Sequence, residues 1–297
     1  MDRTFEVDRQ SEGQRLDKFL GDLCSDLSRS RLKVLIVGEH VTISGRPAKP
    51  ATRLRRGETV SLTIPAPTPS HLEPQQISFG VVYQDSDILV VDKPAGLTVH
   101  PGPGHRDGTL VNAVLAMCPE LRGVGGIMRP GIVHRLDKNS SGLMVVALNE
   151  SAHNNLSEQI MARSFDKSYL ALVVGRVTPS EAIIDAPIGR DPDYRQRMAI
   201  VTPGRDSRTG YRVTNFYNRH SLVAVKPTTG RTHQIRVHFA SIGFPLVGDE
   251  TYGKSDKALN RHFLHADRLA FHHPSTHEHV EFTSDLPEEL RDYLARL

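Results

Sequence analysis

The sequence has 297 residues, of which 38% are hydrophobic and 24% charged, as in a folded globular protein with apolar material for about two domains. No stretch approaches the roughly 20 apolar residues of a transmembrane helix, and the two cysteines, Cys24 and Cys118, are too few for a disulfide framework or a cysteine-rich zinc site. The first ten residues, MDRTFEVDRQ, lack the apolar core of a signal peptide, so we expect a cytoplasmic protein.

The net charge of +3 is concentrated in the first 64 residues, which contain 12 Lys and Arg against 9 Asp and Glu. Two basic clusters lie there: Arg29, Arg31 and Lys33, and Arg46, Lys49, Arg53, Arg55 and Arg56. Such clusters attract the phosphates of nucleic acids, although a solvated basic face has the same composition.

A proline-rich stretch, residues 65–76, has the composition of an extended linker and separates residues 1–64 from residues 77–297. In the first part, apolar spacing and capping signals predict two helices and two strands. These are a helix at 14–24, a second from the capping Ser28 to Val37, and strands at 41–46 and 59–64.

Strands dominate the predictions for the second part. They fall at 88–92, 143–148, 169–174, 211–216 and 222–226, with helices at 108–117, 152–163 and 233–241, the first two behind the N-caps Asp107 and Ser151. Because the strands outnumber the helices and arrive in runs, the fold class is predicted as α+β with a mixed, mainly antiparallel sheet.

Residues 129–148, RPGIVHRLDKNSSGLMVVAL, are the most informative stretch of the second part. The run 142–148 is apolar like a buried strand, and the polar residues before it have the composition of a turn. This pattern places one carboxylate, Asp137, on a tight loop between two apolar strands. In an extended segment Arg135 points to the same side as Asp137, although a lone loop aspartate is more often a turn residue.

Longer motifs resemble known families. QRLDKFL, SRSRLK, VTISGR and RRGE, in this order in the first part, resemble the S4 RNA-binding domain. GIVHRLDKNSSGLMVVAL, KSY at 167–169, TGRTHQIRVH at 229–238 and HADRLAFHHP at 265–274 resemble the RluA family of RNA pseudouridine synthases from about residue 75 onwards. Together with VHPGPGHRDGTLVNA at 99–113, the S4-like part makes the chain most similar to the RluD branch, which modifies large-subunit ribosomal RNA.

The resemblance implies a cofactor-free isomerisation of uridine to pseudouridine in a pseudouridine synthase catalytic domain. The base leaves the RNA stack, its glycosidic C–N bond breaks, and its C5 is joined to the sugar. The resemblance assigns the catalytic carboxylate to Asp137, which either attacks the ribose C1′ or removes a C2′ proton; both routes remain open. It assigns Arg236 to the ion pair that keeps Asp137 ionised, and Tyr169 to stacking on the base and assistance in removing the C5 proton.

The resemblance also assigns residues that hold the RNA. Arg135 corresponds to the position that fills the space left by the flipped nucleotide, and Leu269 and Phe271 correspond to the apolar wall under the base. Further predicted RNA contacts are His134, Arg231, Arg29, Arg31, Lys33, Arg46 and Arg53.

Other interpretations remain open. The substrate could be transfer RNA, and the basic first part also fits an S4-containing ribosome assembly factor without catalytic activity. The histidines at 262, 265, 272, 273, 277 and 279 suggest a metallohydrolase, but they lack HExxH spacing and nearby acids, so we predict no metal. We expect a monomer that binds ribosomal RNA and no membrane.

Overall fold

The computed structural model describes residues 2–24, 27, 29–64, 72–102, 105–126, 129–194 and 197–297, without the side chains of residues 29–31. The chain divides into two compact units, Met1–Thr68 and Pro69–Leu297. No helix in the described ranges is long and apolar enough to cross a membrane.

In its described part, the first unit combines two helices with a four-stranded antiparallel sheet of order β1-β4-β2-β3. Its elements are β1 (Asp2–Glu6), α1 (Leu16–Leu23), α2 (Arg29–Val37), β2 (Val41–Ile43), β3 (Arg46–Pro47) and β4 (Thr59–Thr63). Leu16 and Leu20 of α1 share one apolar core with Leu35 of α2, so burial of one face fixes both helices. The two predicted helices and strands are confirmed, whereas the predicted cap Ser28 lies outside the described residues.

The described strands of the second unit form a nine-stranded sheet and a separate two-stranded ribbon. They are β5 (Gly80–Gln84), β6 (Ile88–Lys93), β7 (Ser141–Ala147), β8 (Asp166–Val174), β9 (Glu181–Asp185), β10 (Ile188–Arg190), β11 (Met198–Ile200), β12 (Arg208–Tyr217), β13 (His220–Pro227), β14 (Leu264–His272) and β15 (His279–Thr283). The large sheet has the order β5-β6-β7-β14-β8-β13-β12-β9, and β15 pairs with β14. Among the described pairs of this sheet only β7 and β14 are parallel, which confirms the predicted mixed, mainly antiparallel α+β fold.

The centre of the sheet is buried on both faces. Met144 and Val146 of β7 belong to one apolar core, and Leu143 and Val145 belong to another. Successive side chains of a strand point to opposite faces, so the unbroken apolar run 143–148 fills two cores at once. A strand covered on both sides is a rigid support for the loop that precedes it.

The helices of the second unit are α3 (Leu110–Met117), α4 (Glu150–Met161), α5 (Gln234–Ser241) and α6 (Glu288–Ala295), with a short 3₁₀ helix at Pro119–Leu121. The predicted caps Asp107 and Ser151 are wrong. Thr109 caps α3 in a capping box with Asn112, and Asn149 caps α4 by accepting a hydrogen bond from the Ala152 N–H at 2.9 Å. Several polar residues precede each helix, and only the backbone geometry selects which one caps it.

The described end of the predicted linker, residues 72–76, packs on the second unit. Leu72 is buried in its core, and the Gln75 N–H donates to the Asn112 carbonyl in α3 at 3.0 Å. The Asn112 side chain in turn donates to the Glu73 carbonyl at 2.8 Å. These residues are therefore part of the second unit, which corrects the end of the predicted linker; residues 65–71 lie outside the described chain.

Candidate active site

An open cavity of about 500 Å³ lies in the second unit, between the loop before β7, strand β8 and the turn before α5. It brings together six of the residues that the sequence assigns to the site: His134, Arg135, Asp137, Tyr169, Arg231 and Arg236. The loop before β7 is preceded by irregular chain rather than by the strand that the sequence predicts. Asp137 still stands at the start of a buried strand, because β7 begins four residues later.

Asp137 and Arg236 form an ion pair in the cavity although they are 99 residues apart in sequence. Arg236 Nη1 donates to Asp137 Oδ2 at 3.1 Å, and the two side chains are 7% and 16% exposed respectively. The other side of the guanidinium is held by Asp249, which accepts from Arg236 Nε at 2.7 Å and from Nη2 at 2.9 Å. Thr251 Oγ1 accepts a further bond from Nη2 at 3.0 Å. A bidentate carboxylate fixes the plane of the guanidinium, so Arg236 presents one nitrogen to Asp137.

The pKa of Asp137 lies below its ordinary value. Burial acts to raise this pKa, but the charges of His233, Arg236 and His262 and the hydrogen bond from Arg236 outweigh it. Burial lowers the pKa of His262 to about 4, so this ring is neutral at neutral pH. Arg236 is therefore the permanent cation that keeps Asp137 ionised, and an ionised carboxylate can act as a nucleophile or accept a proton.

The backbone of the Asp137 loop is anchored by two buried basic side chains, one of which, Lys93, has its pKa lowered by burial to about 7. Lys93 Nζ donates to the carbonyls of Pro94, Leu97 and Lys138 at 2.9, 2.9 and 3.1 Å. Arg261 Nη1 donates to the Asn139 carbonyl at 3.2 Å. The carbonyls of Lys138 and Asn139, the two residues after Asp137, are thus fixed, and Asp137 cannot drift from Arg236 without breaking these bonds.

Replacing Lys93 with Met should lower the free energy of unfolding by about 3 kcal/mol, because one buried and two partly buried carbonyl oxygens lose their donor. Urea unfolding curves measure this loss, with Lys257→Met as the exposed control. An unfolding free energy equal to that of the wild type would contradict the anchoring role of Lys93.

Tyr169 lines the cavity from β8. Burial raises the pKa of its phenol, and the negative charges of Asp137 and Asp267 raise it further. The hydroxyl is therefore protonated at neutral pH. Such a ring can stack on a base and donate a hydrogen bond, but it is a poor base for removing a proton.

Leu269 and Phe271 do not line the cavity, which corrects their predicted place under the base. In β14 they point to the face opposite Leu264, and Leu264 is the side chain of this strand that reaches the cavity. Phe271 stacks on Phe165 with ring centroids 5.1 Å apart, and Phe165 itself lines the cavity. Leu264 and Phe165 are thus part of the apolar wall of the cavity, with Phe271 behind Phe165.

The rim of the cavity is cationic. Arg129, Arg135, Arg163 and Arg231 line it together with Lys167. Arg135 is exposed and its Nη1 lies 3.3 Å from His100 Nε2, while Arg231 Nε donates to the Asp206 carbonyl at 3.2 Å. A cationic rim around a single carboxylate suits a polyanionic ligand.

His134 is half-buried and lines the cavity, where its ring is held by the chain itself. Its Nε2 accepts the Val145 N–H at 3.1 Å, and its ring meets the edge of Phe165 with centroids 6.1 Å apart. Burial lowers the pKa of His134 to about 3. A neutral ring that accepts this backbone hydrogen bond fixes the loop onto β7, and its predicted RNA contact stays a prediction.

The predicted RNA-binding residues of the first unit are described in part. Lys33, Arg46 and Arg53 are exposed, and Arg53 Nη1 donates to the Gly13 carbonyl at 2.9 Å. The side chains of Arg29 and Arg31 lie outside the described residues.

Several of the histidines that suggested a metal site in the sequence are held by hydrogen bonds within the protein. His262 Nε2 bonds Ser140 Oγ, in the Asp137 loop, at 2.9 Å, and His265 Nδ1 bonds Ser141 Oγ, at the start of β7, at 2.9 Å. His273 Nε2 bonds Asp85 Oδ2 at 2.8 Å. Among the described residues Asp85, Asp87 and His273 could converge on a cation, but this group does not line the cavity, and each of its members already has hydrogen-bond partners.

Sequence reasoning missed Asp249, Lys93 and His233. Asp249 and Lys93 are fully buried charged residues, and a charged residue is rarely buried without a partner. The acid in LVGDETYG and the lysine in VVDKPAG stand directly beside apolar runs, which is the signal that could have identified them.

Comparison with known proteins agrees with this geometry. Residues 87–241 match the model of the RNA pseudouridylate synthase family, and residues 14–60 match the S4 domain. A Bacillus subtilis protein described as "Uncharacterized RNA pseudouridine synthase YlyB" is 41% identical over 97% of this chain and 95% of its own length. The Zymomonas mobilis "Ribosomal large subunit pseudouridine synthase D" is 43% identical over 94% of this chain and 92% of its own.

A solved structure is also similar. "Human RNA Pseudouridylate Synthase Domain Containing 4" superposes with a TM-score of 0.59 at 27% identity, over 73% of this chain and 92% of that one. The chain therefore belongs to the RNA pseudouridine synthase family. It carries an S4 RNA-binding domain in front of the catalytic domain, and both resemblances seen in the sequence are confirmed.

Proposed function

We propose that this protein converts specific uridines of large-subunit ribosomal RNA to pseudouridine, with Asp137 as the catalytic carboxylate. The observation that carries the proposal is the ion pair of Asp137 and Arg236 in a cavity lined by Tyr169. Relatives named for the large ribosomal subunit, at 42 to 43% identity over nearly the whole chain, support the choice of RNA.

The residues act in sequence on a flipped uridine. Arg135 fills the position that the uridine vacates, the other rim cations hold the phosphates around it, and the uracil enters between Tyr169 and the apolar wall. Asp137, kept ionised by Arg236, either attacks C1′ or takes the C2′ proton, and the C1′–N1 bond breaks with its electron pair on the base. The base turns within the cavity and C5 bonds to C1′, which breaks the ester bond to Asp137 on the first route and is accompanied by return of the proton to C2′ on the second. The C5 proton is then released and N1 takes up a proton, so the product is an isomer of the substrate.

Flipping favours a target in a loop or an unpaired strand, because unstacking and unpairing, which cost about a few kcal/mol, cost least there. RNA of this kind is recognised largely by shape, and the S4 domain together with the cationic rim provides two RNA-binding surfaces. We infer from these surfaces a folded RNA of the large subunit rather than an isolated strand.

The purified protein should form pseudouridine in a large-subunit ribosomal RNA transcript and leave a pool of transfer RNA transcripts unmodified. Mass mapping of both RNAs after single-turnover incubation measures this preference, with a small-subunit transcript as the matched control. Modification of transfer RNA alone would establish the alternative substrate, and no modification of any of the three RNAs would contradict the proposed activity.

A further inference from the structure

His233 lines the cavity in a backbone conformation that side chains rarely adopt. It is the N-cap of α5, with φ 56° and ψ 19° in the left-handed region. A residue with a β-carbon is held there only when its surroundings determine it, and such residues cluster at functional sites. No step of the mechanism above uses this side chain.

The proton on the His233 ring is positioned by a chain of two hydrogen bonds. The Met198 N–H donates to Tyr252 Oη at 2.8 Å, and Tyr252 Oη lies 2.8 Å from His233 Nδ1. The hydroxyl has one proton, and among the described residues Nδ1 is the acceptor available to it. A bond in which Tyr252 donates to Nδ1 uses this proton, whereas the reverse direction would leave it without an acceptor among the described residues.

The ring is neutral, because burial lowers the pKa of His233 below its ordinary value. A neutral imidazole whose Nδ1 accepts a hydrogen bond carries its proton on Nε2. Within the described part of the chain Nε2 has no hydrogen-bond partner. His233 thus offers an unused N–H donor at the cavity.

This donor and the reacting carboxylate line the same cavity. A positive charge on the His233 ring would lower the pKa of Asp137. Arg236 in turn lies 5.1 Å from the centre of the Tyr252 ring. The ring that orients His233 and the cation that pairs with Asp137 therefore pack against each other.

We propose that His233 is a further catalytic residue that donates a hydrogen bond from Nε2 to a carbonyl oxygen of the target uracil. This inference rests on the proposed function. When the C1′–N1 bond breaks, the base keeps the electron pair and its negative charge spreads over N1, O2 and O4. A fixed neutral donor stabilises this charge more than it stabilises the intact nucleoside, and it does so for either action of Asp137.

The first test compares variants under single-turnover conditions. His233→Ala should slow pseudouridine formation by about 10²-fold, the scale of removing one such donor, with RNA affinity unchanged. His233→Gln, which carries an N–H at a similar reach, should recover part of the rate. Tyr252→Phe should cause a smaller loss of rate, because the His233 ring keeps its place but its tautomer is no longer fixed by the tyrosine hydroxyl. The matched control is His277→Ala, an exposed histidine outside the cavity with a similar φ of 60°.

The second test identifies the contact itself. Sulfur is a weaker hydrogen-bond acceptor than oxygen. Two target RNAs are therefore compared, one with sulfur in place of O2 of the uracil and one with sulfur in place of O4. The substitution at the oxygen that His233 contacts should slow pseudouridine formation by the wild type. The same change should have no further effect on His233→Ala, as expected for two partners of one bond. Additive effects at both positions, or a His233→Ala rate equal to that of the wild type, would overturn the inference while leaving the proposed function intact. A wild type inactive on every RNA would overturn both.

Discussion

Replacing Asp137 with Asn should abolish pseudouridine formation, with a loss of about 10⁴-fold or more in single-turnover rate. The amide keeps the size of the side chain but can neither attack C1′ nor accept the C2′ proton. Arg236 remains fixed in this variant, because Asp249 holds two of its nitrogens independently of Asp137. The fold and the affinity for RNA should therefore stay close to those of the wild type.

Mass detection of pseudouridine in a single-turnover assay measures the rate, and filter binding measures the affinity. The exposed Asp292 in α6 supplies the matched control, and Asp292→Asn should leave both unchanged. A rate for Asp137→Asn within about tenfold of the wild type would remove the carboxylate from the chemistry.

Replacing Arg236 with Met should have two separable effects. The buried carboxylate of Asp249 loses its cation, so the free energy of unfolding should fall by about 3 to 5 kcal/mol. The pKa of Asp137 should rise, because burial continues to raise it while the permanent cation that lowers it is gone. A carboxyl group becomes protonated, and inactive here, as the pH falls through its pKa. Because this pKa is higher in the variant, the acid limb of the pH–rate profile should move to higher pH.

The double variant Arg236→Met/Asp249→Leu separates stability from catalysis. An apolar pair in place of a buried ion pair should recover much of the unfolding free energy, but it should not recover the rate or return the acid limb to its original pH. Arg291→Met, at an exposed position of α6, is the control. An unshifted acid limb in the double variant would show that Arg236 does not keep Asp137 ionised.

The sequence predicts the elements of the fold better than the contacts between them. The apolar run 143–148 identifies β7 because a strand buried on both faces has an uninterrupted apolar pattern. The caps of α3 and α4 were predicted wrongly because several polar residues precede each helix and backbone geometry decides among them.

For the candidate site, too, the sequence predicts the residues better than the contacts between them. Asp137, Arg236 and Tyr169 are found through long motifs, whereas the pairing of Asp137 with Arg236 joins residues 99 positions apart and depends on the whole sheet. Leu269 and Phe271 were misplaced because a motif does not reveal which face of β14 a residue occupies. The partners that hold the site, such as Asp249 and Lys93, are visible only once their burial is known.

The most direct test of the central claim is pseudouridine mapping in large-subunit ribosomal RNA from cells that lack this protein. Pseudouridines lost from those cells should return when the wild-type chain is supplied and should stay absent when Asp137→Asn is supplied at the same level. If Asp137→Asn restores the lost pseudouridines, the account of a catalytic carboxylate held by Arg236 is contradicted. If no pseudouridine is lost and Asp137→Asn still rescues assembly of the subunit, the chain is instead an assembly factor.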